Sequence, residues 1–254
     1  MKSTIYCIFT IVLIFSIQIV QAENLIKINE LVQRFDDKYS IKIRFEEIPK
    51  ASWDIKYRIA KPAHYHRLYN YLLLLHEEYN KYPKSFLRNT KLKEIALVYH
   101  LNIYNQYRAA VPDYYLERIY YDFSKSWNNK TYQRHVIHHE FFHMIEQEFN
   151  GDAFWFDPDW FRINPQNTFY GNGGMTHQGK NINYYEINNP SPGFINLYSK
   201  SGLEEDKAEI FAILFVKEEY KKISKWLKKD KYLNKKVEYM KNTLLQYDQD
   251  FKFY

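Results

Sequence analysis

From Asn24 to Tyr39 the apolar residues Leu25, Ile28, Leu31, Val32 and Phe35 fall three and four apart, the spacing of one helical face. Ser40 to Phe45, "SIKIRF", changes to alternating apolar and basic residues, which predicts a strand. The helical period returns over Ala63 to Tyr82, with Leu68, Tyr71, Leu72, Leu75 and Tyr79 in line and Pro83 as the stop. Glu94 to Leu101, "EIALVYHL", and Glu117 to Phe123, "ERIYYDF", are rich in branched and aromatic residues and predict two more strands. Between them "YNQYRAAVPDYY" contains Pro112, which suits an edge strand or a turn because it cannot donate to a ladder. A long helix is expected from Lys130 to Phe149, stopped by Gly151. Residues 152–197, rich in Asn, Gly, Pro and aromatics, read as a long structured loop, and a last helical block begins near Gly202. This order predicts an α+β domain: a small mixed sheet packed on the Lys130–Phe149 helix, with a C-terminal helical part.

The first residues, Met1-Lys2-Ser3-Thr4, lead into an apolar run from Ile5 to Val20 and then Gln21-Ala22-Glu23. A basic start, an apolar centre and small residues at Val20 and Ala22 predict a secretory signal over residues 1–22, cut after Ala22. The alternative is a retained anchor, for which the run is slightly short. Residues 23–254 then form a single domain, since no repeat, linker or low-complexity segment divides them. The expected location is outside the cytoplasm, extracellular or periplasmic, with no stable membrane insertion after the signal is removed. Nothing in the sequence indicates an oligomer.

Composition narrows the chemistry. With 25 Tyr and 18 Phe against 7 Gly, the chain has the makings of a packed core rather than of disorder. The one cysteine, Cys7, lies in the predicted signal, so the mature chain has no disulfide and no thiolate ligand. Any metal must be held by His, Asp and Glu. Much of the net charge of +6 sits between Lys217 and Lys241, where Ile223, Trp226, Leu227, Val237, Met240 and Leu244 recur at helical spacing. That charge reads as the solvated faces of amphipathic helices, and no nucleic-acid recognition motif accompanies it.

Near the middle stands His138-His139-Glu140-Phe141-Phe142-His143. On a helix, residues four apart share a face, so His139 and His143 can aim their rings at one point. Glu140, beside His139, can reach a water held there without ligating the metal. This H-E-x-x-H spacing joins two neutral nitrogen ligands to a carboxylate base. The same string also arises by chance as part of a core helix, so a third ligand is needed. His135 lies four before His139, and His138 is adjacent; His138 reads as a neighbour because no glutamate placed like Glu140 accompanies it.

Downstream, "YSKSGLEEDKAEIFAILF" offers the missing carboxylate. Ser201-Gly202-Leu203-Glu204 reads as a capping box that opens a helix. Glu205 and Glu209 then share a face, and Ala208 and Ala212 are small enough for close helix packing. Glu205 is the expected third ligand. Glu209 is expected to bond the free nitrogen of a ligand histidine and fix its tautomer. Glu204 and Asp206 read as ordinary first-turn acids favoured by the helix dipole. Tyr198, seven residues before Glu205, is a phenol that can donate to the oxyanion of a tetrahedral intermediate.

"HEFFH" followed by "YSKSGLEEDKAEIF" resembles the catalytic domain of anthrax lethal factor and the secreted Pro-Pro endopeptidases. Both carry HExxH and, later, a Tyr seven residues before a Glu-x-x-x-Glu segment. The resemblance implies a zincin-like fold of the Glu-ligand type, with one zinc on His139, His143 and Glu205. It also implies Glu140 as general base and Tyr198 as oxyanion donor. The tract "WFRINPQNTFYGNGG … SPGFINLYSKSGLEEDKAEIFA" is similar to zinc metallopeptidases assigned in bacterial secretomes, over roughly residues 135–216. One departure from lethal factor is a longer stretch between His143 and Glu205. Its Trp155, Trp160, Phe169 and Tyr170 are placed to reshape or cover a cleft, so no substrate preference carries over. The resulting expectation is a secreted zinc endopeptidase acting on a peptide or protein. A segment near Arg108 to Tyr115 would take an extended substrate by strand addition. The alternatives are a catalytically silent zincin-fold binding or toxin-like protein, or a zinc hydrolase of non-protein amides or esters.

Overall fold

The structure is a computed structural model and describes residues 2–124, 129–173 and 183–254, with side chains from residue 19 onward. Helix α1 runs Lys2–Tyr39, so the expected cut after Ala22 falls within a continuous helix. Most of the predicted signal lies outside the described side chains. The half of α1 that packs is the half with the periodic stripe: Ile28, Leu31, Phe35 and Tyr39 are buried. Among the described residues no helix is long and apolar enough to cross a membrane.

The sheet is mixed. β1 (Lys42–Arg44), β3 (Glu94–Ile103) and β6 (Arg118–Asp122) run parallel with β3 in the centre. β5 (Ala110–Asp113) ends the row, antiparallel to β6. β2 (Ile55–Arg58) and β4 (Gln106–Tyr107) pair antiparallel with β3 towards its C-terminal end. β3 is apolar almost throughout because both its faces are covered. Ile95 and Leu97 enter the main core, whereas Ala96 and Val98 face a smaller cluster with Ile55, Val111 and Tyr120. Pro112 lies in β5, the end strand of the row, where a missing donor is tolerated.

Helix α2 (Tyr65–Tyr79) follows a 3-10 turn at Pro62–His64 and ends before Pro83. That proline instead opens a six-residue helix, α3 (Lys84–Asn89), too short to show a period. Helix α4 (Lys130–Asn150) has the expected bounds for clear reasons. Asn129 caps it by accepting from Tyr132 N, and Gly151 at φ 75 supplies the left-handed residue that ends it. It lies against β5 and β6, and Tyr121 OH donates to Ile137 O at 3.0 Å. Ile137 and Phe141 are fully buried; such side chains contribute roughly 1.5–3 kcal/mol each.

The expected loop over residues 152–197 contains α5 (Pro158–Ile163), with Asp157 as its cap. The C-terminal part is α6 (Leu203–Ile213), α7 (Lys217–Leu227) and α8 (Lys231–Tyr247). Ile223, Val237, Met240 and Leu244 are buried and most lysines face outward, but Lys236 is buried against Asp206. The capping box expected at Ser201–Glu204 does not form. Gly202 takes the cap position, and the Ser201 hydroxyl donates instead to Tyr198 O in the preceding turn, Tyr198–Lys200. The Glu204 carboxylate folds back over Gly202, into space a Cβ there would need.

Candidate metal centre

Helix α4 presents His135, His139 and His143 at four-residue intervals, with Glu140 on the flank. Helix α6 packs directly against it, with Phe142 and Phe211 ring centroids 5.0 Å apart and Ala208 fully buried between the backbones. Glu205 and Glu209, one turn apart on α6, therefore both face α4.

His139, His143 and Glu205 meet in a closed triangle. Glu205 Oε2 lies 3.0 Å from His139 Nε2 and 3.4 Å from His143 Nε2, and the two ring nitrogens are 3.2 Å apart. Ligand atoms at zinc–ligand distances of about 2.0–2.1 Å in a tetrahedral site lie roughly 3.3–3.4 Å from one another. The donor set also fits: two imidazoles and a carboxylate, with no thiolate required. Two unprotonated ring nitrogens this close repel unless positive charge lies between them. A second group of possible ligands, His135, His139 and Glu209, has a different character. Glu209 Oε1 sits 3.0 Å from His135 Nε2 and 2.9 Å from His139 Nδ1. Asn196 Nδ2 donates to the other Glu209 oxygen, and His135 Nδ1 lies 2.7 Å from Glu219 Oε2. This is a hydrogen-bonding chain behind His139. Glu209 at Nδ1 favours the tautomer with its proton there and leaves the Nε2 lone pair facing Glu205.

Electrostatics point the same way. Burial opposes charge on Glu205, yet its contacts with His139 and His143 hold its carboxyl well below the usual range. Burial likewise lowers His139, but Glu205 and Glu209 push it up to about 10. The two carboxylates thus create a demand for positive charge at the triangle, which a divalent cation meets. Glu140 is raised by burial, against the pull of His139 and His143. Its carboxylate has no hydrogen bond or ion pair among the described residues, and it lines a small cleft with Arg108, Tyr132, His139, Tyr185 and Tyr198.

Tyr198 reaches the triangle from the turn before α6, and its OH donates to Glu205 Oε1 at 3.0 Å. His138 points the other way, into the core, at Glu78 and Tyr82. Asp206 is no solvated first-turn acid: it is fully buried and accepts from Lys236 Nζ, Trp160 Nε1 and Tyr170 OH at 2.7–2.8 Å. Trp160 and Tyr170 are therefore spent on Asp206, and Phe169 is exposed to solvent. Residues 174–182 of the long loop lie outside the described residues. Two participants, Asn196 and Glu219, escaped the sequence reading, because tertiary packing alone brings them in; His135 was noted one turn before His139 but given no role.

No protein-family profile matches this chain, and a comparison with curated proteins finds no match. Among solved structures, the chain is similar to the crystal structure of a "putative zinc-binding metallo-peptidase" from Bacteroides caccae, with a TM-score of 0.56. The match covers 91% of this chain and 88% of that one at 16% identity. At that identity the likeness carries the fold: a mixed α+β, metallopeptidase-like architecture. The likeness to lethal factor and the Pro-Pro endopeptidases rests on sequence motifs alone.

Proposed function

We propose that this protein is a secreted zinc-dependent endopeptidase acting on peptide or protein substrates. The observation that carries the reading is the closed His139–His143–Glu205 triangle with an unpartnered Glu140 at its edge. His139, His143 and Glu205 would hold one zinc. Bound there, zinc supplies Lewis-acid polarisation of the scissile carbonyl and acidifies a water.

The chain's own groups do the rest. Glu140 accepts the proton of the attacking water and delivers it to the departing amine. Burial raises its pKa, so the carboxylate is a stronger base than an exposed one and also a competent acid on the return step. Tyr198, whose OH already stands at Glu205, donates to the oxyanion as the carbonyl becomes tetrahedral. Glu209 keeps the His139 ring oriented throughout, because both of its oxygens are already engaged. β5 ends its sheet beside α4, so its outer edge can align an extended peptide past Glu140.

The test is Glu140→Ala. The purified variant should keep about one zinc while cleavage of a mixed peptide library falls below detection, and a chelator should silence the parent protein in the same assay. Equal, chelator-insensitive cleavage by both proteins would remove the proposal.

A further inference from the structure

Arg108 stands in the segment between β4 and β5, pinned by its backbone N–H to Leu101 O at 3.1 Å. Its side chain lines the cleft that also contains Glu140, His139 and Tyr198. It is half-buried, yet among the described residues its side chain makes one hydrogen bond, from Nη2 to the neutral Gln106 Oε1, at 2.9 Å. No carboxylate lies within ion-pair distance of it among the described residues. Elsewhere Arg44 and Arg118 share Glu94, and Arg134 meets Glu77 and Glu78; the half-buried Arg67 also has no carboxylate among the described residues, but it does not line this cleft. The charge of Arg108 reaches Glu140 through space, but the other groups nearby, Tyr132, Tyr185 and Tyr198, are phenols that cannot neutralise it.

We infer that Arg108 is a specificity residue that binds a carboxylate of the substrate close to the scissile bond, an inference that rests on the peptidase reading above. A guanidinium offers several N–H donors in a planar fork that matches a carboxylate. The rings of Tyr132 and Tyr198, which line the same cleft, lower its polarity and strengthen that pairing relative to open water. Arg108 shares a small cleft with Glu140, and an extended peptide advances about 3.3 Å per residue. The recognised carboxylate therefore belongs to a residue adjacent, or next but one, to the bond cut. Arg108 also lies two residues before β5, so a strand laid along that edge passes it. The carboxylate has two possible sources, an Asp or Glu side chain or the free C-terminus of a short peptide.

The experiment uses the zinc-loaded full chain and matched peptides. One set places Asp or Glu, Asn or Gln, or Lys at each position flanking the cleaved bond; the other compares free and amidated C-termini. The parent protein should favour carboxylate over amide by about tenfold or more in kcat/KM, in one set or the other, which identifies the source. Arg108→Glu should reverse the ratio in favour of Lys, and Arg108→Lys should fall between. Each ratio is internal to a variant, so incomplete folding cancels. An unchanged ratio in Arg108→Glu overturns the inference. Equilibrium binding of the same peptides to zinc-loaded Glu140→Gln keeps the two proposals apart. If the parent cleaves nothing, the peptidase reading fails. A carboxylate preference in binding, lost in Glu140→Gln/Arg108→Glu, would still uphold Arg108, and equal binding would overturn it.

Discussion

Helix α4 carries buried histidines on two faces, and they sit in opposite electrostatic surroundings. On the core face, His138 Nε2 is 2.6 Å from Glu78, its Nδ1 pairs with the Tyr82 hydroxyl, and Glu78 is further met by Lys81 and by Arg134 Nε at 3.0 Å. There every charge is answered within the cluster. Burial holds His138 down to about 4 even beside Glu78, so the ring stays neutral. On the other face, His139 and His143 meet Glu205 and Glu209, and among the described residues no lysine or arginine stands within ion-pair distance of those two acids. Lys207, placed between those acids on α6, turns to Glu146 and Asp157 instead. The same residue types thus make a self-contained brace on one side and, in the function proposed above, a cation receptor on the other. What separates them is charge balance, not composition or burial.

The sharpest way to break this contrast is to exchange the faces. Glu205→Ala and His139→Ala should weaken zinc binding on the order of a thousandfold, so that metal analysis after dialysis finds almost none. His138→Ala should keep its zinc; equal loss in all three would erase the distinction. Next comes stability. Glu78→Ala takes the carboxylate from buried His138 and from Lys81, leaving Arg134 with Glu77, and should cost about 3–5 kcal/mol in urea unfolding, with zinc affinity in the folded protein little altered. A smaller effect is expected for Glu209→Gln, which keeps the shape but removes the charge behind His139. Zinc affinity measured against a competing chelator should fall about 10–100-fold.

The smallest expected effect lies in the sheet, in a third, fully answered acid. Burial raises Glu94, but hydrogen bonds from Arg44 and Arg118 outweigh it and leave its carboxyl below the usual range. A depressed folded-state pKa means the unfolded chain binds more protons in acid. Its contribution is therefore complete above the ordinary carboxylate range and disappears as pH falls through the folded value. Glu94→Gln should flatten the acid side of the stability–pH curve by about 1 kcal/mol. A curve of unchanged slope would show that Glu94 plays no part.

Much of the placement of His139, His143, Glu205 and Glu209 was legible in the chain. Helix α4 has a capped start, a glycine stop and no interior Gly or Pro, so its periodicity translated directly into geometry. Glu205 and Glu209 were picked out by their one-turn spacing and by the small Ala208, although the capping box expected before them does not form. The self-contained parts were not. Glu78 and His138 are 60 residues apart, and nothing local joins them. Asp206 looked like a dipole-favoured acid because its partners, Trp160 and Lys236, arrive from a loop and from a lysine-rich helix. Short elements such as α3 and β2 are held by tertiary packing and leave no period to read.

Lys207 has one more implication. Its buried amine sits 2.6 Å from Glu146 on α4 and 3.3 Å from Asp157, so charge pairs and the Phe142–Phe211 contact set the gap between α4 and α6. If His139, His143 and Glu205 hold an ion as proposed, this packing rather than the ion would set their spacing. Unlike small zinc modules that collapse without their ion, this protein would stay folded through depletion and reloading, and uptake would be limited by the ion shedding its water rather than by the chain finding its shape.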